Sequence, residues 1–186
     1  IIPYNNKSRG EIMCDAMELL RSLCGDKLIL GCGVPLAPAF GKVDFCRIGA
    51  DMALSWNKKP FSREDVSTKH ALLNTIFRRQ LDGRAFLNDP DVFLLRDNNI
   101  KMPFSQRKLI AKTASLFGNL LFVSDDVSTY NNEQKECFAT VTSQNKAKIN
   151  YVDMNRNGDI SIKYSLDDKN IGYCLNINNG TEKKYV

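Results

Sequence analysis

Between Ser8 and Cys24 the apolar residues Ile12, Met13, Ala16, Met17, Leu19, Leu20 and Leu23 recur at three- and four-residue spacing. That is one face of an amphipathic helix, with Ser8 placed as its N-cap and Gly25 as its stop. Lys27 to Cys32 is a short apolar run that reads as a strand, and a loop punctuated by Pro35, Pro38 and Gly41 leads to a second strand around Asp44 to Gly49. Leu72, Leu73, Ile76 and Phe77 predict a helix over 66–81, followed by a third strand near Ala85 to Leu87. Ser105 is placed to cap a helix running to about Phe117, with Leu109, Ile110, Thr113, Ala114 and Phe117 inward. Gly118 ends it, Leu120 to Val123 make a fourth strand, and a last helix covers Asn132 to Thr140.

Continuously apolar strands that alternate with amphipathic helices indicate parallel β/α units, in which both faces of the sheet are covered. Four such units are predicted within residues 1–143. The first crossover, residues 33–43, is short for a parallel connection. From about Ala147 the apolar period becomes two: Ile149 and Tyr151; Ile160, Ile162 and Tyr164; then Ile171, Tyr173, Leu175 and Ile177. With Asn-Gly turn dipeptides at 157–158 and 179–180, residues 144–186 read as a small antiparallel β domain.

Composition narrows the partners. The 186 residues are 43% hydrophobic, enough to bury a core. The net charge of +5 arises from scattered basic residues, with Arg78-Arg79 and Lys183-Lys184 the nearest thing to clusters, so no nucleic-acid face is expected. No run of about 18 apolar residues exists to cross a membrane. The six cysteines form no CxxC pair and sit largely in apolar or amphipathic runs, the usage of reduced thiols in an intracellular, cytoplasmic protein. The opening Ile1-Ile2-Pro3, without an initiator methionine, reads as the start of a cut piece, which leaves the missing signal peptide uninformative.

Chemistry in parallel β/α folds gathers at the carboxyl ends of the strands. There this chain places Cys32-Gly33, then Arg47 and Asp51, then Asn88-Asp89-Pro90-Asp91, then Ser124-Asp125-Asp126. Turn and cap preferences alone account for Asp89, Asp125 and Asp126. Asp51 stands apart, preceded by Ile48, Gly49 and Ala50 and followed by Met52, Ala53, Leu54 and Trp56. A carboxyl in apolar surroundings is pushed toward the neutral form a general acid needs, so Asp51 is either that acid or a surface charge. Arg47, four residues earlier, either pairs with it or forks onto a ligand oxygen.

The stretch GCGVPLAPAFGKVDFCRIGAD at 31–51, Trp56, the segment VSTKHALLNTIFRRQLDGRAFLNDPDVFLLRD at 66–97 and LLFVSDD at 120–126 together resemble the melibiase-type α-galactosidases, retaining glycoside hydrolases of the family 36 type. The resemblance covers roughly residues 1–130. It implies an α/β fold: the second half of a (β/α)8 TIM barrel, strands five to eight, followed by the small antiparallel β domain. By that resemblance Asp51 of the RIGxD motif is the general acid/base, and Arg47 contacts a ring hydroxyl and helps orient it. Cys32 and Gly33 would line the sugar pocket, Trp56 would form part of its wall, and Asp91 of the NDPD motif would lie at its edge or support it. The substrate implied is a terminal α-linked galactose, with no cofactor or metal. The family's nucleophile is an aspartate at the end of the fourth barrel strand in a lysine-x-aspartate context, and nothing before residue 8 supplies such a strand. The chain is therefore expected to be the C-terminal part of the enzyme, inactive alone and prone to self-association through its open half-barrel edges.

Two features are set aside. Asp153-x-Asn155-x-Asn157-Gly158-Asp159 resembles the opening of an EF-hand loop, yet Tyr164 stands where a bidentate Glu belongs, and a hairpin turn is the simpler reading. His70 is the single histidine, so neither a catalytic triad nor a multi-histidine metal site is available. The competing function is a non-catalytic carbohydrate-binding or assembly module.

Overall fold

The computed structural model describes residues 5–57, 67–143 and 147–185. The helix start expected at Val66, the domain boundary drawn at residue 144 and the opening Ile1-Ile2-Pro3 lie outside the described residues.

Helix α1, Arg9–Cys24, starts where its sequence demands. The Ser8 hydroxyl accepts the Glu11 amide at 3.3 Å while the Glu11 carboxylate accepts the Ser8 amide at 2.7 Å, a reciprocal capping box. Its apolar stripe buries only Met17; Leu19 and Leu23 are 60% and 77% exposed. Strand β1, Leu30–Gly31, and strand β2, Phe45–Arg47, pair in parallel, with Leu30 opposite Phe45. The short crossover does connect parallel neighbours, by packing a single helical turn, α2 (Leu36–Ala39), into it. Asp44 stitches this region together, accepting the Ile29 amide at 2.7 Å and the Arg21 guanidinium at 3.1 Å.

Helix α3, Thr68–Phe77, is capped by the Ser67 hydroxyl and runs into a 3₁₀ turn at Arg79–Leu81. Strand β3, Leu87–Asp89, falls later than the apolar pattern indicates. The Asp82 carboxylate accepts the Asn88 amide at 2.7 Å, and the Gly83 amide donates to Phe86, so Ala85 belongs to the turn.

Pro90 then breaks the strand, lacking an amide for the ladder. Asp91 follows at φ 78°, and the chain resumes as β4, Val92–Phe93, a strand the sequence pattern does not announce. β3 completes a parallel three-stranded sheet in the order β1-β2-β3, whereas β4 pairs in parallel with β5, Phe122–Val123. Helix α4, Phe104–Phe117, opens after Pro103, which sits at the N-cap in an extended conformation and offers no side-chain cap. Ser105 therefore lies inside the helix and is not its cap. Helix α5 spans Asn132–Ser143.

The antiparallel sheet runs in chain order through β6 (Lys148–Met154), β7 (Asp159–Leu166), β8 (Lys169–Asn176) and β9 (Thr181–Lys183). Both Asn-Gly turns form, with Gly158 and Gly180 at positive φ. The turn between β7 and β8 uses Asp167-Asp168, both left-handed at φ 48° and 62°, a conformation that short polar side chains tolerate. Alternation in β6 is corrected by a bulge between Ile149 and Tyr151. Ile149 and Val152 turn toward the core, and Tyr151, expected inward, is 48% exposed.

Ile160, Ile162 and Leu175 of this sheet share one apolar cluster with Phe93, Leu95, Leu109 and Ile110, so the two parts of the chain are built on a common core. A smaller cluster of Met17, Ala39, Val43, Cys46, Ile48 and Phe86 lies under β1 and β2.

A candidate active site at the ends of the parallel strands

Arg47 and Asp89 are the last residues of β2 and β3 and are register partners, so their side chains leave the same face of the sheet. Arg47 Nε donates to Asp89 Oδ2 at 2.9 Å, and one Nη lies 2.8 Å from Asp91 Oδ1 and 3.6 Å from Asp51 Oδ1. Asp89 is fully buried and Asp91 nearly so. Their remaining oxygens organise the backbone: Asp89 Oδ1 accepts the Asp91 amide at 2.8 Å, and Asp91 Oδ2 accepts the Met52 amide at 2.5 Å. One guanidinium thus ties two strand ends and the loop after β2 into a single unit.

Burial opposes the Arg47 charge, but the Asp89 and Asp91 carboxylates outweigh it and hold the guanidinium above its ordinary range. Beneath it, the Cys46 thiol is pushed up to about 11, first by burial and then by Asp89 and Cys32, so it is a neutral packing group. Cys32 is a free, exposed thiol just beyond β1, and Gly33 turns the chain there at φ 72°.

The apolar enclosure expected around Asp51 is absent: its side chain is 78% exposed. Ile48 points instead into the smaller core, and a Cβ on Gly49 would lie 3.0 Å from Asn74 of α3, so the apolar neighbours pack away from the carboxyl. The Arg47 guanidinium pairs chiefly with Asp89 and Asp91 and stands farther from Asp51, the partner its spacing suggests. Trp56, expected in a pocket wall, is only 5% exposed and offers a ligand almost no surface. Its indole N–H donates to the Ile177 carbonyl at 2.9 Å, and Gly180 lies against its ring. Cys32, Gly33, Arg47, Asp51 and Asp91 share the strand-end region; Trp56 serves the contact with the antiparallel sheet.

Asp89, for which turn preference alone accounts in the sequence, is the buried anchor of the cluster. Its signal was positional: the final residue of a strand beside one that ends in arginine. Asp125 is equally buried, accepting the Leu95 and Arg96 amides at 2.6 and 3.0 Å and the Tyr130 hydroxyl at 2.7 Å, and so fixes the chain beyond β4. Asp126 caps a 3₁₀ turn. His70 Nδ1 lies 2.9 Å from the Ser67 hydroxyl at the start of α3. Asn155 Oδ1 accepts the Asn157 and Asp159 amides, as a hairpin turn requires. Among the described residues no group of three or more His, Cys, Asp or Glu is placed to hold a metal ion, and no helix is long and apolar enough to cross a membrane.

No family model matches the chain. Its fold matches the α-galactosidase of Thermus thermophilus in complex with p-nitrophenyl α-D-galactopyranoside, with a TM-score of 0.65 and 22% identity over 85% of this chain and 32% of that one. The same enzyme in complex with stachyose matches with a TM-score of 0.61 and 27% identity, over 69% of this chain and 29% of that one. α-Galactosidase I of Mortierella vinacea matches with a TM-score of 0.66 and 14% identity, over 92% of this chain and 49% of that one. These solved structures are α-galactosidases, and the chain spans between 29% and 49% of their length.

Proposed function

We propose that this chain is the C-terminal part of a retaining α-galactosidase that releases terminal α-linked galactose from oligosaccharides or glycosides, with residues 1–143 forming the second half of a (β/α)8 barrel. The observation that carries the reading is the arrangement around Arg47. Of the three carboxylates beside it, Asp89 and Asp91 are buried and committed, while Asp51 stands open where a substrate reaches it. Asp51 is the general acid/base, Arg47 and Asp91 orient it, and Cys32 and Gly33 line the sugar pocket beside it.

A retaining mechanism needs a second carboxylate about 5–5.5 Å from the first to form the glycosyl intermediate. Asp89 is bound to Arg47 and to the Asp91 amide, and Asp91 to Arg47 and the Met52 amide, so neither is free to attack. The 186-residue chain alone is inactive on this reading. Leu30, Phe45 and Leu87 lie in register on the face that carries Arg47 and are incompletely buried, which favours self-association. Assay of the purified chain with p-nitrophenyl α-galactoside should show no turnover. Turnover that Asp51→Ala abolishes would refute the inactivity and keep the role of Asp51; turnover indifferent to Asp51→Ala would refute both.

A further inference from the structure

The outer face of the antiparallel sheet carries a second concentration of recognition chemistry. The β6 bulge sends two successive residues, Asn150 and Tyr151, to that face, where regular alternation would send one. Tyr151 lies opposite Lys163, and Lys163 opposite Gly172, so the three form a row across β6, β7 and β8. Tyr185 extends the row. A Cβ on residue 172 would sit 2.4 Å from the Tyr185 ring, so the missing side chain is what lets the ring lie against the strand. The Lys163 ammonium stands between the rings, 5.8 Å from the centre of Tyr151 and 6.0 Å from that of Tyr185. Alongside, Asn150 Nδ2 donates to the Ser165 hydroxyl at 2.6 Å, which donates to Asn170 Oδ1 at 2.9 Å. Asn150, Lys163, Asn170, Ile171, Gly172 and Tyr185 line a concavity of about 480 Å³.

We propose that this concavity binds a neutral saccharide. The Tyr185 ring in its wall offers an apolar face to the C–H side of a pyranose. The Asn150 and Asn170 amides both donate and accept, as sugar hydroxyls do, and the Lys163 ammonium adds a donor. The concavity is of the size ligand sites occupy, and it lies apart from the Arg47 cluster, so the inference does not rest on the catalytic reading.

The test is a glycan array of neutral oligosaccharides probed with the 186-residue chain, followed by titration of the best-retained glycan into the wild type and the Tyr185→Ala, Asn170→Ala and Asp51→Ala variants. Thermal melts establish that each variant is folded. Loss of a stacked ring or an amide contact weakens binding by up to about tenfold, so Tyr185→Ala and Asn170→Ala should each weaken it measurably. An array that retains no glycan overturns the proposal. So does binding that survives both sheet variants, and binding that only Asp51→Ala removes assigns the sugar to the strand ends instead.

Discussion

The indole N–H of Trp56 donates to the carbonyl of Ile177 at 2.9 Å, joining the loop beyond β2 to the end of β8 across 121 residues of sequence. The ring is buried in the cluster that spans both parts of the chain, with the Gly180 turn held against its face. A residue that sequence comparison offers as sugar-contacting aromatic surface is here a rivet between two sheets.

Trp56→Phe keeps most of the apolar contact but strands the Ile177 carbonyl, at a cost of about 1–3 kcal/mol. Trp56→Ala adds a cavity and should cost about 3–5 kcal/mol. Urea unfolding midpoints measure both, and a Trp56→Phe variant as stable as the wild type would mean the hydrogen bond contributes nothing.

Arg47→Met should destabilise the chain by about 3–5 kcal/mol, because it leaves Asp89 and Asp91 buried without their cation. Adding Asp89→Asn and Asp91→Asn to that variant should recover part of the loss. Asp51→Ala, at the exposed end of the same network, should change stability by less than about 1 kcal/mol. Chemical denaturation of the series separates the buried pairs from the exposed one.

Gly118, which closes α4, packs directly on the strand break. A Cβ there would lie 2.5 Å from Pro90 Cγ and 2.9 Å from the Ala114 carbonyl oxygen. Gly118→Ala should cost about 1–3 kcal/mol by overpacking. A neutral melting temperature would show that Pro90 can move aside.

Asp159 should give the antiparallel sheet an acid dependence. Hydrogen bonds from Lys183, Asn176 and Asn155 lower its carboxyl from 3.8 to about 2. A group depressed on folding stabilises fully above its unfolded value and loses that contribution as pH falls through the folded one. The wild type should therefore lose stability between roughly pH 4 and pH 2, and Asp159→Asn should be flatter in that window, read by thermal melts along a pH series.

The thiols should separate by reactivity. Cys14 and Cys32 are exposed, whereas Cys46 is buried and pushed up to about 11. At pH 8 a maleimide should label Cys14 and Cys32 rapidly and Cys46 only on unfolding, with peptide mapping as the readout.

The helices were legible because helical periodicity and caps are local: Ser8, Glu11 and Gly25 bracket α1 without reference to anything distant. The strands were legible as existing but not in extent, since β1 and β2 are two and three residues long and end where a neighbour's ladder ends. No local signal in Lys148–Met154 marks the bulge that turns Tyr151 outward. Asp51 and Arg47 were legible as a pair, but the buried bond from Arg47 to Asp89 depends on the register of two strands 42 residues apart in sequence. The exposure of Asp51 depends on where Ile48 and Gly49 pack, which the order of apolar letters does not contain.

The break at Pro90-Asp91 makes one stretch of chain serve two sheets, and this gives the site a mechanical character. Leu87–Asp89 is held by β2, Val92–Phe93 by β5, and the pivot between them carries the carboxylate that grips both Arg47 and the Met52 amide. The loop that bears Asp51 is thereby moored at the point where the chain passes from one parallel sheet to the other. Gly118 at the end of α4 packs on Pro90 of the same break, so the seating of α4 bears on that mooring as well.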